Sequence, residues 1–179
     1  MAADGCVREA VAADLPLLGA IEIAAAAQFA GVGIHGDFLH HATRIDDLGA
    51  ACKEGRLWVA VGEGRPVGFA LACRLRDGQP WLEELDVHPD HARRGLGRAL
   101  VETVIAWARQ QGAASLALTT FVDVAWNAPF YARLGFRPFS PAEHSTAIAE
   151  VLEEEEARGL PLSRRVAMRL ELPPRSPQR

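Results

Sequence analysis

Apolar side chains recur at two spacings along this chain, every second residue in some stretches and every third or fourth in others. The switches between the two lay out its secondary structure. Residues 6–10 read as a first strand. Asp14 stands where a helix N-cap belongs and Pro16 suits a first turn, so a helix is predicted through Leu17, Leu18 and Ile21 toward Phe29. Gly31-Val32-Gly33 stops it. Phe38, Ile45 and Leu48 hint at a second helix. Residues 57–61 form a short apolar strand, and Glu63-Gly64-Arg65 is a hairpin turn into 66–75, where Val67, Phe69 and Leu71 alternate. Asp77-Gly78 turns the chain again into 81–87, completing an antiparallel meander.

The stretch 81–112 changes character within a few residues. Pro89 ends the strand, Arg93-Arg94-Gly95-Leu96-Gly97-Arg98 makes a glycine-rich turn, and Leu96, Leu100, Val101, Val104 and Ala108 then fall at helical spacing. A helix start preceded by glycines offers free N–H groups and the positive end of a dipole, which is an anion site. The flanking arginines carry the right charge for phosphate. A strand at 116–121 follows, and a strand–helix–strand unit is normally parallel, so the sheet is mixed. A short helix at 127–134, extended structure at 136–139, a helix at 141–157 and a closing strand at 164–170 complete an α+β domain over 1–172. Glu153 to Glu156 read as a solvated helix face, and 173–179 as a disordered tail.

Composition narrows the function. A net charge of −4 argues against a general nucleic-acid binder, because phosphate backbones demand a positive surface. Cys6, Cys52 and Cys73 are widely spaced and match no metal pattern; an odd count without a signal sequence points to reduced thiols and a cytoplasmic location. His35, Asp37, His40 and His41 lack ligand spacing and read as loop residues, and no metal is expected. The apolar run 20–34 contains Glu22 and Gln28 and reads as too short to span a bilayer, so a soluble protein without a membrane partner is expected. The glycine turn does not suit a dinucleotide fold: Leu100 stands where a third glycine is needed, and Asp123 comes too late to bind a ribose.

Two segments together carry a resemblance. The run from Leu85-Asp86-Val87 through Ala92–Arg98 resembles the acyl-CoA-binding motif of the GNAT superfamily of N-acyltransferases, and Asn127-Ala128-Pro129-Phe130-Tyr131-Ala132-Arg133-Leu134-Gly135-Phe136 is similar to its second motif. The resemblance implies a mostly antiparallel, six- to seven-stranded mixed sheet flanked by helices and splayed in the middle. It implies acetyl-CoA as cosubstrate and transfer to a primary amine. The pyrophosphate would be held by Arg93, Arg94, Gly95, Leu96, Gly97 and Arg98. The pantetheine arm would be held by the main chain of Leu85, Asp86 and Val87 and by Asn127, whose other reading is a helix N-cap. One departure is Ala92, where the family usually has Gln or Arg.

Acetyl transfer needs a neutral amine, a stabilised oxyanion and a protonated leaving thiolate. Tyr131, the only tyrosine, stands at the family's acid position. Glu83 and Glu84 compete as base. Strand alternation puts Glu83 with Leu85 and Val87, and Glu84 with Leu82 and Asp86; family position favours Glu83, and a β-bulge would scramble the parity. Glu84, Asp86 and Asp123 would lend negative potential for a small cationic amine, with Trp81, Phe121 and Trp126 as walls, and a peptide N-terminus is a further acceptor class. Cys73 has no assigned place. The competing function is a non-catalytic acyl-CoA sensor, which has no need of Tyr131. The resemblance is compatible with a monomer or a homodimer.

Overall fold

The computed structural model describes residues 6–173. In chain order the elements are β1 (Cys6–Glu9), α1 (Leu15–Ala26), α2 (Ile45–Lys53), β2 (Leu57–Gly62), β3 (Arg65–Arg74), β4 (Pro80–Val87), α3 (Leu96–Gln110), β5 (Ser115–Phe121), α4 (Ala128–Arg133), β6 (Arg137–Pro138), α5 (Thr146–Ala157) and β7 (Arg165–Glu171). The seven strands lie in the order β1-β2-β3-β4-β5-β7-β6. The pairs β1–β2, β2–β3, β5–β7 and β6–β7 are antiparallel and β4–β5 is parallel, giving the mixed, mostly antiparallel sheet expected. The β4–β5 ladder consists of one pair, Trp81 with Ala117, and the two strands share no further register among the described residues. The tail expected over 173–179 lies, Pro173 apart, outside the described residues.

The chain forms two compact units, Met1–Cys73 with Leu82–Val104 and Arg74–Trp81 with Ile105–Arg179. In the first, Leu18 and Ile21 of α1 and Leu48 and Ala51 of α2 pack with Leu57, Val59, Phe69 and Leu71 of β2 and β3. β2 is buried on both faces over its first four residues, which explains its unbroken apolar run. The β2–β3 hairpin turns through Glu63 at φ 51° and Gly64 at φ 79°, two left-handed residues in succession, as a tight two-residue hairpin requires.

Two readings of this unit are corrected. Asp14 occupies the N-cap position of α1, yet its side chain makes no cap. Instead it accepts two bonds from the Arg8 guanidinium, at 2.7 and 2.9 Å, and one from the Val11 N–H at 2.9 Å. A bidentate charged partner outcompetes a neutral helix N–H, and the Arg8 bond draws the Asp14 carboxyl below its ordinary range. The apolar run is also longer than it reads. α1 continues through a 3₁₀ turn, Ala27–Val32, closed by Gly33 at φ 72°. The resulting helical stretch Leu15–Val32, 18 residues, is by length and composition apolar enough to cross a membrane. Glu22 does not interrupt it because α1 buries Glu22 beside Leu18, Ile21 and Ala25.

In the second unit Leu116, Leu118, Phe136 and Met168 are almost fully buried. The long helix expected over 141–157 is two elements. A 3₁₀ turn, Pro141–Glu143, is opened by the Glu143 carboxylate, which accepts from the Ser140 N–H at 3.0 Å and the Ser140 hydroxyl at 3.2 Å, and Ser145 Oγ then accepts from the Ile148 N–H at 3.4 Å to begin α5. Nor is the acidic run of α5 a wholly solvated face. Glu155 is turned inward, 2.6 Å from Arg165, with the two side chains only 9% and 10% exposed. The Thr119 hydroxyl donates to the same carboxylate, and Arg165 lies 4.8 Å over the Phe121 ring. Four consecutive helical residues must include one that faces the packed side; here that residue found a cation on β7.

Candidate active site

The glycine turn follows β4 closely. Pro89–His91 forms a 3₁₀ turn whose first N–H groups need acceptors, and His88 Nδ1 takes the Asp90 N–H at 3.3 Å. His88 is thus a local cap. Arg93 adopts φ 60° and Gly95 φ 83°, so left-handed residues alternate with ordinary ones just before α3 begins at Leu96. That alternation turns successive N–H groups toward one side and makes an anion-binding nest. Its chain neighbours apart, no atom of the described residues lies within 4 Å of where a Gly95 Cβ would stand, so an approaching group has room there. These residues fit a pyrophosphate.

The side chains of the turn divide. Leu96 is 7% exposed and belongs to the core, leaving its main chain to face an anion. Arg94 donates to the Asp90 carbonyl at 3.0 Å, and Arg98 pairs with Glu102 one helical turn on, at 2.7 Å. Arg93 is exposed and Gly97 half-buried. Ala92 is extended, φ −66° and ψ 161°, at the C-cap of the preceding turn.

β4 brings three carboxyl groups into play, and α1 adds a fourth that the sequence reading passed over. Glu83 is exposed, Glu84 and Asp86 are half-buried. At Asp86 the carboxyl end is the buried part: Oδ2 has essentially no accessible surface and no hydrogen-bond partner. Burial pushes this carboxyl well above the usual carboxylate range, and the charge of Glu22 adds to the push. Burial without a partner works against a charge on Asp86 and so weakens the contribution to a negative potential expected of it. Glu22 is 9% exposed and accepts from the Thr43 N–H at 2.9 Å and the Thr43 hydroxyl at 3.1 Å. Burial raises its pKa, Thr43 opposes the rise, and the charge of Glu83 reinforces it. Strict alternation separates Glu83 from Asp86, yet both interact with Glu22.

Cys73, at the end of β3, now has a place. Its thiol is pushed up to about 12, by burial first and then by the charge and hydrogen bonding of Glu83. A thiol so held is a poor nucleophile at neutral pH.

The second unit holds the other motif. Tyr131 on α4 is 8% exposed, with its ring edge-on to Phe130 at 5.1 Å and Phe136 at 5.7 Å. Asn127 precedes α4, but its side chain makes no cap; its main-chain carbonyl starts the helix instead, accepting from Phe130 at 2.8 Å and Tyr131 at 3.0 Å. The N-cap reading of Asn127 is thus corrected. Asp123 is paired with Arg164 at 2.9 Å, so its charge is compensated locally. Trp81 and Phe121 are 3% and 2% exposed and belong to the core, whereas Trp126 is 41% exposed. Among the described residues no group of three or more His, Cys, Asp or Glu could hold a metal ion.

Comparison with known proteins fits this geometry. The sequence model of the acetyltransferase (GNAT) family matches residues 25–136. The chain belongs to that family. A mouse protein, N-acetyltransferase family 8 member 3, is 34% identical over 85 residues, 45% of this chain and 38% of its own length, so the match takes in well under half of that relative. Among solved structures, the ribosomal-protein-S18-alanine N-acetyltransferase of Escherichia coli is similar over 98% of both chains, at 21% identity and a TM-score of 0.64. The N-acetylglutamate synthase of Neisseria gonorrhoeae, complexed with coenzyme A and N-acetyl-glutamate, is similar over 97% of this chain and 36% of its own, at 18% identity and a TM-score of 0.70. At these identities the two structures establish the fold.

Proposed function

We propose that this chain transfers the acetyl group of acetyl-CoA directly to a primary amine, and that the acceptor is a small cationic molecule. The observation that carries the reading is the nest formed by Arg93 and Gly95 at the start of α3, continuous with the strand that presents Glu83. The nest and the helix start hold the pyrophosphate, with Arg93 as the side chain left to face it. The main chain of Leu85, Asp86 and Val87 pairs with the pantetheine arm like an added strand, and the Asn127 amide, unused as a cap, takes part in holding it.

Glu83 accepts the proton of the incoming ammonium through a water, and Tyr131 donates a proton to the leaving thiolate; a phenol with an ordinary pKa near 10 is protonated at neutral pH. Glu84 adds negative charge on the same strand. Direct transfer is favoured over a covalent acyl-enzyme because the Cys73 thiol is held with its pKa at about 12. A peptide N-terminus is the alternative acceptor: one structural neighbour is named for a ribosomal protein, the other for an amino acid.

The test is turnover of acetyl-CoA against a broad panel of amines, following free thiol. An amine-dependent release is the expected result. Tight CoA binding with no amine raising thiol release would replace this reading with that of an acyl-CoA sensor.

A further inference from the structure

A cavity of about 280 Å³ opens beside β6, the last strand of the sheet, near the lower end of the range in which small-molecule sites fall. Arg137, Arg169, Glu143 and Glu171 supply its charged lining, and Pro138 and Phe139 an apolar part. The mechanism above uses none of them.

The β6–β7 register sets Arg137 directly opposite Arg169. Like charges facing each other across a ladder destabilise it unless something compensates them. Arg169 is compensated: it lies 2.8 Å from Glu171 and 3.4 Å from Glu143, and its guanidinium covers the Phe139 ring at 4.7 Å. Arg137 makes no ion pair among the described residues. Its Nη1 donates to the Ala132 carbonyl at 3.2 Å and to the Phe136 carbonyl at 3.0 Å, which uses both Nη1 hydrogens and fixes the guanidinium. The Nε–Nη2 edge keeps its donors without a partner among the described residues, in the fork geometry that matches a carboxylate.

The lining is balanced, Arg137 and Arg169 against Glu143 and Glu171. Hydrogen bonds from Ser140 hold the Glu143 carboxyl below its usual range, so it carries its charge at neutral pH. A plain anion would meet both glutamates here, and a plain cation both arginines. A molecule with one charge of each sign meets neither penalty.

We propose that this cavity is a second binding site, for a small zwitterion of the α-amino-acid class with an apolar side chain. The carboxylate takes the Nε–Nη2 edge of Arg137. The ammonium goes to Glu171, which Arg169 engages through Oε1 alone. Pro138 and Phe139 receive the apolar side chain. The site is independent of the residues proposed for acetyl transfer.

The test titrates the full chain, saturated with CoA, calorimetrically with L-leucine, 4-methylpentanoate and 3-methylbutylamine. The last two are leucine without its ammonium and leucine without its carboxylate. L-Leucine binds about tenfold or more tightly than either, as two charge-assisted contacts against one require. Arg137→Gln and Glu171→Gln each weaken leucine about tenfold or more, with CoA affinity and amine-dependent thiol release unchanged. Both positions are exposed, and if one variant misfolds the other decides. Leucine binding no tighter than that of the better half-molecule overturns the proposal. So does an unchanged leucine affinity in the folded variants, which would put the amino acid elsewhere, the acceptor site included.

Discussion

Gly68 on β3 lies so close to the Asp86 carbonyl of β4 that a Cβ on Gly68 would stand 2.7 Å from the oxygen. The same atom would be 3.2 Å from the Val87 Cα. Next to this contact, the His88 N–H donates to the Val67 carbonyl at 2.8 Å, fixing the end of β4. Glycine at 68 thus lets β3 press against the strand segment proposed to pair with the pantetheine arm.

Gly68→Ala is expected to displace β4. Overpacking of this kind costs about 1–3 kcal/mol, read as a lower urea midpoint, and CoA affinity should fall with it. Undiminished CoA affinity would detach the Asp86–Val87 main chain from cofactor binding.

Tyr131→Phe removes the proposed acid without removing the ring that packs on Phe130 and Phe136. kcat should fall about 10- to 1000-fold with CoA affinity nearly unchanged. Unaltered kcat would take Tyr131 out of the chemistry. Glu83→Gln should flatten the acidic limb of the pH–rate profile, and the same effect from Glu84→Gln alone would move the base to Glu84.

Asp86 makes stability depend on pH in a direction opposite to most carboxylates. Its folded pKa is raised by burial, so the folded state holds a proton that the unfolded state releases. That stabilisation is complete below the unfolded pKa and is lost as pH rises through the folded one. Asp86→Asn cannot ionise, so its urea midpoint should match the wild type near about pH 4 and exceed it increasingly toward about pH 9. Parallel curves for the two proteins would refute the assignment.

Glu155 and Glu154 are neighbours on α5 with different fates. Glu155→Ala leaves Arg165 buried without its partner and should cost about 3–5 kcal/mol, whereas exposed Glu154→Ala should change stability by no more than about 0.5 kcal/mol. Equal midpoints for the two variants would show that the Arg165 pair is not the difference.

The sequence by itself determined the order of elements, the glycine turn at the start of α3 and the FYARLGF segment. Each is a local signal: a period of two or 3.6, a helix start, a turn residue with φ above zero. It also marked Glu22, as the lone charge in an apolar run. What a side chain partners was decided only by the tertiary structure. Asp14 is at a cap position by sequence, and Arg8 took its carboxylate. Glu155 is one of four identical residues, and Arg165 on β7 buried it. Asp86 alternates like any strand residue, and burial without a partner raised its pKa. Hydrogen-bond partners and desolvation come from residues distant in the chain, Thr43 for Glu22 and Glu83 for Cys73, and periodicity along one strand or helix carries no information about them.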